Sequence, residues 1–197
     1  MESVILARHG ESVFSEHRLV NGVVAVRGPL TRQGEEEALE FGREIADDAI
    51  DLCVTSEFER TRQTADVALA GRRVARLVVP ELNDPRYGRF EGGALETYRS
   101  WAAAAASRDE APGGGESRLN IIVRYVQGFR LVLARAERTI LVVAHSLPIA
   151  YVLATLEGKP PTQRVPLVEH ARPYRLSAAG LAGAVAVLED WCAAPTW

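Results

Sequence analysis

Lysine is nearly missing from this chain. Of its 23 basic residues, all but Lys159 are arginine. Alongside the abundant alanine and glycine, this points to a genome-wide composition bias, so an arginine carries functional weight here only through its position. Cysteine is also scarce. Cys53 lies in an apolar run and reads as a buried thiol, and Cys192 lies near the C-terminus. The two share no metal-ligand spacing and suggest no disulfide framework. No apolar run reaches the length of a membrane span, and the N-terminus shows no charged region, apolar region and cleavage site. A cytoplasmic protein is expected. The net charge of −3 argues against a nucleic-acid binder. There is no internal repeat and no long linker, so residues 1–197 are expected to form one domain.

The stretch from Ser3 to Glu11 organises the rest. Val4 to Ala7 read as a short buried strand, after which Arg8, His9 and Gly10 follow in succession. A cation, an imidazole and a residue that lets backbone approach a ligand suit a phosphate site, with His9 as a nucleophile toward phosphorus. Residues 12 to 30 read as a long loop, a length that is often functional. Thr31 can cap a helix over 32–46, with Ala38, Phe41 and Ile45 on its apolar stripe. Ile50 to Thr55 read as a strand, and Ser56 with Glu59 as a capping box for a helix over 57–70. Val74 to Val79 read as a strand, 81–93 as a loop and 95–107 as a helix. A longer helix is expected over 117–136, buried through Leu119, Ile122, Val123, Val126, Phe129 and Leu133.

Thr139 to Ala144 show no polar alternation and are expected to be the central strand. Ser146 is expected to cap a helix over 147–157. Tyr174 to Ser177 and Ala184 to Leu188 read as a terminal strand pair. Such strand–helix alternation predicts an α/β, three-layer sandwich: a mostly parallel central sheet with helices on both faces. In such sheets ligands bind beyond the carboxyl ends of the strands. Arg8 and His9 follow the first strand, Arg60 the second and His145 the central one. Parallel strands would bring all of them to one edge.

These residues resemble the histidine phosphatase superfamily, the phosphoglycerate-mutase-like proteins. Arg8-His9-Gly10-Glu11-Ser12 is similar to its signature, and Pro29-Leu30-Thr31-Arg32-Gln33-Gly34 to its next landmark. Ser56 through Arg60 to Ala65 resembles the segment with its second arginine, and Tyr87 to Gly92 the stretch after its acid. Gly114 to Ser117 and Val142 to Ser146 resemble its later landmarks. The landmarks run in family order from residue 4 to about residue 150. A lone Arg-His-Gly would be weak; the ordered set is strong.

The resemblance implies a phosphomonoesterase for a small phosphorylated metabolite, needing no metal and no cofactor. His9 would form a phosphohistidine, with one ring nitrogen free and the other held by a hydrogen bond, for instance to a backbone carbonyl. Arg8 and Arg60 would hold the phosphoryl oxygens, and His145, protonated beside the anion, would add a donor. Ser15, Asn21 and Ser146 are the other substrate-binding candidates. Asp84 aligns with the acid that protonates the leaving oxygen and then activates water. The family acid is often Glu, and Glu81 is the runner-up. Ser146 stands where Gly is frequent, and Ser15 where some members have Asn.

Arg18, Arg86, Tyr87 and Trp101 could line a substrate pocket, with residues 81–117 as a substrate-side insertion. Glu11 and Glu91 are expected to fix local backbone. His17 and His170 have no matching context. The rivals are a cofactor-dependent phosphoglycerate mutase and a non-catalytic phospholigand-binding module. Known mutases of this type carry a longer insert after the acid, which favours hydrolysis here. Nucleic acid and membrane are not expected partners; a homodimer is admissible.

Overall fold

A computed structural model describes residues 1–197. Its sheet has five strands: β1 (Ser3–Arg8), β2 (Leu52–Thr55), β3 (Ala75–Val78), β4 (Thr139–Ala144) and β5 (Tyr174–Ser177). Their order is β3-β2-β4-β1-β5. The first four are mutually parallel, and β5 is antiparallel to β1. The apolar run Ile140–Ala144 is wholly buried and occupies the centre, as an unalternating strand must when both sheet faces are covered.

Side chains alternate along each strand and so divide into two cores. Val4, Leu6, Val54, Ile140 and Val142 face one side, where they meet α5 (Arg118–Leu133), α6 (Ser146–Leu156) and α7 (Ala178–Ala193). Ile5, Ala7, Cys53, Leu141 and Val143 face the other, against α2 (Arg32–Glu44) and α3 (Glu59–Ala68). The three-layer α/β sandwich follows from this division. A third, small cluster contains Val20, Tyr87, Tyr98, Ala102 and Ala111. It draws on α4 (Leu95–Ala104) and flanking loops. No helix is long and apolar enough to cross a membrane.

Several local expectations are corrected. Ala184 to Leu188 are not a strand but the middle of α7. Leu181, Ala184, Val185, Leu188 and Trp191 are buried at helical spacing, and the Ser177 side chain caps the helix by accepting from Gly180 N. Gly180 and Gly183 lie within that helix. Ser56 caps nothing: α3 starts later, with Phe58 at its N-cap and no side-chain cap. Ser146 is likewise inside α6, whose N-cap is His145. Within the 12–30 loop a four-residue helix, α1 (Val13–Glu16), is closed by a Ser12–Ser15 capping box. On α5, Val123 faces solvent, while Ile121 and Tyr125 are buried.

Candidate active site

β1 and β4 run in register with Arg8 opposite Ala144, so His9 and His145 emerge side by side. Their ring centroids lie 5.3 Å apart, and His9 N donates to Ala144 O. The loop after β1 is pressed against α2. A Cβ on Gly10 would lie 2.4 Å from Gly34 O, and one on Gly34 would lie 1.9 Å from Glu11 O. The close approach that Gly10 permits is therefore to backbone, not to ligand. Arg60 enters from α3 beyond β2, and Asp84 from the loop beyond β3. Four parallel strands thus deliver Arg8, His9, Arg60, Asp84 and His145 to one sheet edge.

His9 is 4% exposed. Its Nδ1–H donates to Gly10 O at 2.7 Å, and its Nε2 accepts from Arg60 Nε at 3.2 Å. The expected tether of one nitrogen to a backbone carbonyl is present, whereas the other, expected to be free, accepts from Arg60. Burial, then the charges of Arg60 and Arg8, hold the His9 pKa well below its ordinary value, so the ring is neutral. Arg60 is buried over the Phe58 ring. It also donates to Asn21 Oδ1 and O, and Nη2 reaches Asp84 Oδ2 at 2.8 Å.

Burial drives the Asp84 pKa up, against the opposing pull of Arg60. His145 is also pushed well below its ordinary value by burial, then by Arg60 and Arg8. Without an anion it is neutral. Its Nδ1 lies 3.3 Å from Arg60 Nη2 and 3.4 Å from Asp84 Oδ2. Because Arg60 can only donate, Nε2 carries the proton and donates to Ser56 Oγ at 2.9 Å. Ser56 Oγ in turn meets Thr61 Oγ1 at 3.0 Å. Arg8 donates to Val168 O; burial lowers its pKa to about 10, so it stays charged.

Arg8, His9, Arg60 and Asp84 line a cavity of about 230 Å³ that also contains Ser15, Arg18, Asn21, Tyr87 and Ser146, while His145 is buried behind them and is not part of its wall. Ser15 Oγ is engaged by Ser12 N at 2.7 Å, and Ser146 Oγ by Val168 N at 2.9 Å. Glu81 and Trp101 are not among the lining residues. The Glu81 side chain packs beside Gly128 of α5, and Trp101 stacks with Phe90 and Tyr98. Glu91 accepts from Gly22 N and Tyr87 N and so fixes backbone, whereas the Glu11 carboxylate accepts from the Thr31 side-chain hydroxyl. His17 is exposed.

The cavity wall also holds residues without a local sequence signal. Arg99, Gln163, Arg164, Leu167 and His170 line it, as does Arg118. His170 pairs with Arg8 through a backbone bridge, its ring 5.9 Å from His9. Burial and the Arg8 charge lower its pKa to about 3. No three His, Cys, Asp or Glu side chains are grouped so as to hold a metal ion.

Residues 4–190 match the sequence model of the Histidine phosphatase superfamily (branch 1). The chain is 27% identical over 169 residues to a probable phosphoglycerate mutase of Erwinia tasmaniensis, covering 81% of this chain and 77% of that one. It is 28% identical over 164 residues to the adenosylcobalamin/alpha-ribazole phosphatase of Escherichia coli, covering 79% of each. A solved structure of a putative alpha-ribazole-5'-P phosphatase from Escherichia coli superposes with a TM-score of 0.75, at 26% identity and 89% coverage of both chains.

Proposed function

The chain belongs to the histidine phosphatase superfamily, and from that membership we propose that it hydrolyses small phosphomonoesters through a phosphohistidine on His9. One observation carries the reading: His9 is a buried neutral imidazole with Nδ1–H tethered to Gly10 O and Nε2 turned into the arginine-lined cavity. Nε2 attacks phosphorus as the ester P–O bond breaks. Arg8 and Arg60 hold the equatorial oxygens, where charge is spread in the transition state. Asp84, whose pKa burial raises, gives its proton to the leaving oxygen. It then takes a proton from the water that cleaves the P–N bond.

The bound anion would lift the His145 pKa, so that Nδ1–H donates to a phosphoryl oxygen. Asn21, which positions Arg60, and the Ser15 and Ser146 hydroxyls complete the binding wall. Residues 81–117 act as the substrate-side insertion, supplying Asp84, Tyr87, Leu95, Tyr98 and Arg99 to the cavity. The named activity of the Escherichia coli alpha-ribazole phosphatase supports hydrolysis over mutase chemistry. The free thiols Cys53 and Cys192 suit the cytoplasm. The test is steady-state hydrolysis of p-nitrophenyl phosphate with chelator present, combined with alkaline-quench trapping of enzyme labelled from a radiolabelled phosphoester. Turnover and an acid-labile label, both absent in His9→Ala, are expected. No turnover across a broad phosphoester panel overturns the reading.

A further inference from the structure

Arg118 is the first residue of α5 and lines the cavity, yet it is only 9% exposed. The ionisable groups that act on it most are tyrosines, Tyr151, Tyr98, Tyr125 and Tyr87, and of these Tyr151 is a hydrogen-bond partner but not a counter-ion. Burial keeps all four as neutral phenols, Tyr151 with a pKa raised to about 12. The carboxylates close by are already taken. Glu116 is held by Arg124 Nε and Nη2, both at 2.9 Å, and by Arg86 N. Asp84 is held by Arg60. Of the other arginines of the wall, Arg8 is engaged by Val168 O, Arg99 by Val165 O and Arg164 by Glu96, while Arg18 is exposed to solvent and so carries no comparable desolvation cost. Arg118 therefore carries a buried charge with no counter-ion from the protein.

Such a charge is costly, because desolvation is not offset by a partner. Its position adds to the cost. A cation in the first turn of a helix opposes the positive end of the helix dipole, where an anion is favoured. Asp and Glu are absent from that first turn. Leu119 N and Asn120 N of that turn are already taken by Ser107 O and Ser117 Oγ, so both penalties are relieved if an anion enters the cavity and pairs with the Arg118 guanidinium itself.

We propose that Arg118 forms a second anion subsite, so that the preferred substrate is a phosphomonoester with a further carboxylate or phosphate at its distal end. Tyr87 and Tyr98, in edge-to-face contact at 4.6 Å, form the wall along which the body of such a substrate lies. This rests on the phosphatase reading for which group enters first, but its test does not need turnover. Equilibrium binding is measured by titration calorimetry with ω-phosphonocarboxylates of increasing chain length, their primary amides and the matching α,ω-bisphosphonates. The wild type is expected to bind the best acid or bisphosphonate at least about tenfold more tightly than the amide, as a charge-assisted pair provides. That preference falls close to unity in Arg118→Gln and is partly kept in Arg118→Lys.

Acid preferred over bisphosphonate identifies a carboxylate at the far end, and the reverse a phosphate. Equal binding of acid and amide by the wild type overturns the proposal. So does an Arg118→Gln protein of unchanged melting temperature that keeps the preference. Failure of the phosphatase reading shows instead as absent p-nitrophenyl phosphate turnover with the acid-over-amide preference intact.

Discussion

Arg60 Nη2 lies 2.8 Å from Asp84 Oδ2 in the unliganded site, so the guanidinium proposed to hold the phosphoryl group is paired with the proposed acid. The pair restrains Asp84 as a carboxylate. A bound phosphoryl group competes for Arg60 and brings its own negative charge. Both effects raise the Asp84 pKa beyond what burial already does. Substrate would thereby generate the protonated acid that its own leaving group requires.

Asp84→Asn is therefore expected to slow alkyl phosphates by about a hundredfold or more, and aryl phosphates far less, since only poor leaving groups need a proton in the transition state. For the wild type, the rate with alkyl esters should fall as pH rises through the Asp84 pKa in the complex. The variant should lose that limb. Leaving-group plots and pH–rate profiles for both proteins are the check, and equal slowing of both ester classes would remove Asp84 from the role.

Much of this site is readable from single positions. The apolar runs before Arg8-His9 and His145, with Arg60 just after the second strand, place those residues because a parallel sheet delivers strand ends to one edge. What escapes such reading is set by long-range contact. His170 reaches the cavity through a bridge to Arg8, and Arg118 through the placement of α5 beside the residue 81–117 segment. Neither leaves a trace in local spacing. Ala184 to Leu188 reads as a strand in isolation because the run is short and apolar. Such a run cannot be told from a strand until Ser177 and Trp191 are seen to extend its helical period.

Ser56 has the pattern of a helix cap but serves His145. Its hydroxyl accepts the Nε2 proton at 2.9 Å and thereby fixes the tautomer whose Nδ1 faces Arg60 and Asp84. Ser56→Ala should lower kcat about tenfold with little change in KM, since a misoriented ring loses transition-state contacts more than ground-state binding. Ser56→Thr, which restores the hydroxyl, should recover part of the loss. A KM effect alone would make Ser56 structural.

The Gly10–Gly34 contact ties the nucleophile's loop to α2. Gly34→Ala places a methyl 1.9 Å from Glu11 O by ideal geometry, which only backbone displacement relieves. Overpacking of this kind costs about 1–3 kcal/mol. Denaturant unfolding should show that loss, and kcat should fall with it because the displaced carbonyls are next to His9. A fully active Gly34→Ala protein would mean that His9 is positioned by β1 alone.

Stability should depend on pH through the buried histidines. His9, His145 and His170 all have pKa values below those of the unfolded chain, His170 at about 3. Below about pH 6.5 the unfolded state binds protons that the folded state refuses, so unfolding free energy falls as pH falls. Asp84 acts with the opposite sign: its raised pKa means that the folded state takes up a proton first on acidification, which offsets part of the decline. For His170 alone the loss by pH 5 is roughly 2 kcal/mol. Urea midpoints at pH 7.5 and pH 5 test this. The His170→Asn variant should show a shallower decline, because it removes one of the three groups. An unchanged decline would mean that the His170 ring takes up its proton in the folded protein.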